Sequence, residues 1–118
     1  MKAATKQHEW TKFLRFFSEQ NAGRLTRLGV FERNDGVVND YWLESGLPLS
    51  SIDVEARGER PSVQITVGNF THDVHDAVRL VFQFNNAGDE DGVDVVGADG
   101  RTTILRFESR TEVHDQIV

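Results

Sequence analysis

Cysteine is missing altogether from the 118 residues, and with it go disulfides, thiolate zinc sites and cysteine nucleophiles. No apolar run approaches the roughly 20 residues that a bilayer-spanning helix needs, so no membrane partner is expected. The opening MKAATKQHEW turns charged too soon for a signal peptide, and a cytoplasmic setting is the expectation. Without a secretion signal, the acceptor pattern Asn69-Phe70-Thr71 is read as chance. There is no glycine-rich cradle before a helix, no G-x-S-x-G around any serine and no internal repeat. A strongly basic surface is lacking too, since the net charge is −6. Residues 1–30 hold Lys2, Lys6, Lys12, Arg15, Arg24 and Arg27 against Glu9 and Glu19, a balance of +4 that leaves −10 for the remainder. The bulk of such a chain repels a phosphate backbone, which disfavours nucleic acid as a partner.

The chain does have alternation. In Ala77 to Glu108, Val78, Leu80, Phe82 and Phe84 alternate with Arg79, Val81 and Gln83, and Val93–Gly97 and Arg101–Phe107 flank an Asp99-Gly100 turn. A period of two in β-branched and aromatic residues predicts three consecutive antiparallel strands. A two-residue turn would mix charge into both faces of the last hairpin. A three-residue loop, Ala98-Asp99-Gly100, with Gly100 left-handed, instead pairs Val93 with Leu105 and Val95 with Thr103. The outer face then carries Asp94, Val96, Thr102, Ile104 and Arg106, and Val96 and Ile104 suggest a second layer or a partner over it.

Upstream, Thr5 is placed to cap a helix running to about Gln20, with Trp10, Phe13, Leu14 and Phe17 as one buried stripe and Asn21-Ala22-Gly23 as its stop. Strands are expected over Arg24–Glu32, Val37–Leu43, Ile52–Arg57 and Val63–Val67, with a break at Gly46-Leu47-Pro48-Leu49, because proline cannot donate to a ladder. Adjacent Tyr41 and Trp42 must point to opposite faces, so one of them is expected to be exposed and fit for an interface. The whole forms a single domain, 1–118, with residues 1–4 and 110–118 as tails. Its fold class is α+β, with the N-terminal helix packed on one face of a mostly antiparallel, strongly twisted sheet of about five to seven strands.

Trp10, Phe13 and Phe17 before Asn21-Ala22-Gly23-Arg24, then GLPLSSIDVE (46–55), SVQITVG (62–68) and DGRTTILRF (99–107), resemble a family of short, mainly bacterial proteins catalogued as a domain of unknown function. The resemblance implies one domain over nearly the whole chain and carries no functional residue across.

Chemistry has one natural place, Thr71-His72-Asp73-Val74-His75-Asp76. In a helical turn His72, His75 and Asp76 would share a side, able to hold a divalent metal with a third ligand from Asp73, His114 or Asp115, or to move protons near neutral pH. Asp89-x-Asp91-Gly92 matches only a fragment of a calcium loop and is taken as a solvated hairpin loop. The expectation is therefore a non-enzymatic protein-interaction or accessory module. It has no cofactor and no assigned catalytic residue, self-associates or binds a protein partner, and presents Tyr41, Trp42, Val96 and Ile104. The alternative is a small metal-dependent or hydrolytic enzyme centred on His72, Asp73, His75 and Asp76.

Overall fold

The computed structural model describes residues 2–34, 36–57 and 60–108, and of residues 2–8, 34, 56 and 57 the backbone alone. Helix α1 (Lys2–Gln20) is followed by seven strands: β1 (Leu25–Asn34), β2 (Val37–Arg57), β3 (Arg60–Val67), β4 (Phe70–Val74), β5 (Ala77–Phe84), β6 (Glu90–Gly97) and β7 (Arg101–Phe107). They form one sheet in the order β4-β3-β2-β1-β7-β6-β5, and every pairing is antiparallel. The α+β class and the helix-on-sheet arrangement are as expected.

The order of the strands dictates the shape. β4 and β5 are the two edges of the sheet, yet only His75 and Asp76 separate them in the chain. Two residues reach about 10 Å, whereas the edges of a flat seven-stranded sheet would stand roughly 29 Å apart at about 4.8 Å per strand. The sheet therefore curls into a half-barrel until its edges converge at this link. Asp76 takes φ 52° there, a left-handed conformation that aspartate tolerates better than most residues, and its carbonyl accepts from Ala98 N–H at 2.9 Å.

α1 fills the concavity. Trp10, Leu14 and Phe17 are buried against Leu28, Leu49, Ile65, Val93 and Leu105, and the Phe17 ring lies 5.4 Å from that of Phe82 and 5.7 Å from that of Phe107. Two details of the expected helix are corrected. It begins at Lys2, so Thr5 lies within it and does not cap it. Phe13 is 55% exposed and leaves the buried stripe, because it stands about 40° beyond Phe17 round the helix, outside a buried arc that runs from Phe17 through Trp10, Asn21 and Leu14 to Ser18. Those polar positions are occupied for a reason. Asn21 Nδ2 donates to Phe17 O at 2.8 Å and to Glu90 Oε1 at 2.9 Å, and Arg24 Nη1 donates to Asn21 Oδ1 at 2.9 Å and to Glu90 O at 3.0 Å. This network ties the helix C-terminus to the start of β6.

The expected break at Gly46-Leu47-Pro48-Leu49 is instead a continuous strand. β2 pairs with β1 through Pro48 and with β3 from Leu49 onward, so Pro48 sits where the strand changes partners and its missing N–H interrupts neither ladder. Its carbonyl accepts from Gly68 N–H at 2.7 Å. β4 is the strand that was not anticipated, because His72 and Asp73 disguise the alternation of Phe70 and Val74. The β6–β7 hairpin has the expected register, Val93 with Leu105 and Val95 with Thr103, with Gly100 at φ 91°. The expected C-terminal tail, and His114 and Asp115, lie outside the described residues.

Candidate functional site

In β4 successive side chains point to opposite faces, so His72 looks into the concavity with Val74 while Asp73 points out, and His75 and Asp76 fall in the link. The helical turn assumed for this stretch does not form; His72, Asp73 and His75 still border one cleft, and Asp76 is not among its lining residues. Among the described residues no group of three His, Cys, Asp or Glu side chains lies close enough to hold a metal ion.

His72 instead reaches across the half-barrel, its Nε2 hydrogen-bonded to Thr103 Oγ1 of β7 at 3.1 Å. Burial pushes its pKa below the ordinary histidine value; neighbouring Asp73 opposes the shift and His75 adds to it. Around it opens a cleft of about 180 Å³ bordered by Tyr41, Leu43, His72, His75, Arg101 and Thr103 among others. Arg101 donates to Glu32 at 3.0 Å, and that bond, with the carboxylate's charge, raises its pKa further. A hydroxyl within reach of an imidazole is half of a nucleophile–base pair. Thr103, however, is only 3% exposed, and among the described residues no side chain orients His72 through Nδ1. The arrangement serves as a latch between an edge strand and the sheet centre.

The convex face is built differently. The sheet register sets Trp42, Gly29, Ile104 and Asp94 in one row across β2, β1, β7 and β6, and Asp40, Phe31, Thr102 and Val96 in the next. The Trp42 ring lies down over Gly29: a Cβ there would come 2.7 Å from Trp42 Cε3 and 2.8 Å from the Tyr41 carbonyl oxygen. The Arg27 guanidinium stands 4.9 Å above the same ring, a cation–π contact. Trp42 nevertheless remains 51% exposed. Phe31, Val96 and Ile104 are half-buried around it. One flank is stiffened by two bonds to the Asp94 carboxylate, from Arg106 Nη1 at 2.6 Å and from Gln83 Nε2 at 3.0 Å.

Three of the four expected interface residues, Trp42, Val96 and Ile104, thus share the convex face. Tyr41, 46% exposed, borders the histidine cleft on the other side. Sequence reasoning missed Arg27, Gly29 and Phe31. The signal that could have found them was a glycine inside a strand pattern, which marks a close approach by something large.

Comparison with known proteins gave no match: no family model, no curated protein and no solved structure matches the chain. No helix among the described residues is long and apolar enough to cross a membrane.

Proposed function

We propose that the protein is a non-enzymatic interaction module whose convex sheet face receives a protein partner. The observation that carries this reading is Trp42, held flat over Gly29 and under Arg27 yet half open to solvent. A tryptophan fixed in one orientation loses little side-chain freedom on contact and offers a large apolar area, which is why this residue type dominates interface energetics. Ile104, Phe31 and Val96 extend the apolar area, and Arg27, Asp40 and the Asp94–Arg106 pair give it a polar rim.

The test is co-purification from the native cell with tagged wild type and tagged Trp42→Ala. The reading expects a stoichiometric companion, a second protein other than a copy of the chain, that wild type retains and Trp42→Ala loses. Equal recovery with both proteins, or no companion with either, counts against it. Trp42 is not a core residue, so the variant keeps its fold.

A further inference from the structure

Helix α1 carries a second unpartnered surface, on the side turned away from the sheet. Phe16 is 61% exposed with Phe13 beside it, and Lys12, Arg15 and Glu19 are exposed on the same side. None of these three charges makes an ion pair among the described residues. Thr11, Lys12, Arg15, Phe16 and Glu19 border a shallow groove of about 340 Å³. Lys12 and Glu19 stand seven positions apart, hence on nearly the same line of the helix and about 10.5 Å from each other, with Arg15 and Phe16 midway on either side of that line.

We infer that this face docks a second copy of the chain, α1 against α1, antiparallel about a two-fold axis that passes between residues 15 and 16. The charge pattern selects that partner. The two-fold lays Lys12 of one copy opposite Glu19 of the other, twice over; it also brings the two Arg15 side chains beside each other across the axis, where each is offset by the Glu19 of the facing copy. The two Phe16 rings meet beside the axis, each entering the other copy's groove, and the Phe13 rings flank them on the same side. A parallel pairing would set Lys12 against Lys12 and Glu19 against Glu19, which like-charge repulsion forbids. The dimer does not depend on the convex-face reading: α1 sits on the concave side of the sheet, so Trp42 stays free in both copies.

The absence of cysteine makes the register directly testable. In sedimentation velocity across the micromolar range, wild type should form a reversible dimer. Lys12→Glu and Glu19→Lys should each weaken it roughly tenfold or more, and the two reversals together should bind more tightly than either alone. Arg15→Cys then places the only thiol in the chain beside the axis, where two packed helices bring their Cα atoms within the roughly 7 Å that a disulfide can bridge. On mild oxidation Arg15→Cys should give covalent dimers and Ile104→Cys on the convex face should not. A wild type that stays monomeric, single reversals that leave the dimer intact, or linkage through Ile104→Cys in preference to Arg15→Cys would each overturn the pairing. Because Lys12, Arg15 and Glu19 are exposed, loss of association in these variants is not loss of fold, and circular dichroism verifies this for each one.

Discussion

His72 holds its imidazole where a charge is costly, half inside the concavity and bonded to a buried threonine. Its pKa in the folded protein lies below the ordinary 6.5 of the unfolded chain. Above pH 6.5 both states carry the neutral ring and the fold keeps its full stability. As pH falls through 6.5 toward the lowered value the unfolded chain takes up a proton that the folded chain refuses, and stability is lost across that window. Urea unfolding of wild type between about pH 8 and 5 should show the midpoint falling through this range. His72→Gln, which can still bond to Thr103 but does not titrate, should have a flatter profile there. Identical profiles would mean that the ring is not held as the cleft requires. Arg101 plays the opposite part at the same mouth, a cation fixed by Glu32 that does not titrate in this range.

Among the elements, α1 is the most informative, because one helix presents a buried and an open aromatic side. Phe17 packs between Phe82 and Phe107, and Phe17→Ala should cost about 3–5 kcal/mol of unfolding free energy. Phe13→Ala should cost about 1 kcal/mol or less, since half of that side chain never leaves water. Denaturant titration of the two variants separates them, and a larger loss for Phe13→Ala would reverse the assignment of faces. The sequence spacing made the helix and its core residues Trp10, Leu14 and Phe17 legible. It misassigned Phe13 because a count of i, i+3 and i+4 neighbours does not say where the arc ends; that is decided by distant strands, whose Phe82 and Phe107 cover Phe17 while Phe13, one step farther round, stays exposed. The last hairpin was legible down to its register, since Gly100 and the apolar Val93, Val95 and Leu105 agree on one alignment. β4 and the unbroken β2 were not legible, for related reasons. Polar residues mark a connection only when nothing packs on them, and a proline ends a strand only when its N–H is needed; here His72 finds Thr103, and Pro48 falls where β2 exchanges one neighbour for another. The upper end of the expected strand number is reached for a partly wrong reason, because the spacing splits β2 in two and leaves β4 out.

At the scale of the molecule, the brief link at His75-Asp76 curls the sheet, and the curl separates what the sequence places side by side. Tyr41 and Trp42 are neighbours in the chain, but one borders the concave cleft and the other lies on the convex face. The interior is taken up by α1 and the core, so the apolar groups still open to solvent lie on the outward faces: Trp42 with half-buried Ile104 on the sheet, and Phe16 with its charges on the helix. The two tryptophans divide the same way, Trp10 buried and Trp42 open, and this gives a direct optical test of the convex face. In a Trp10→Phe variant all the indole emission comes from Trp42, and acrylamide should quench it readily in the isolated protein. Once the partner recovered from the native cell is bound, that quenching should fall severalfold and the emission should shift to the blue. Quenching and emission that stay the same on complex formation would show that the partner sits elsewhere and that the convex face is not the functional surface.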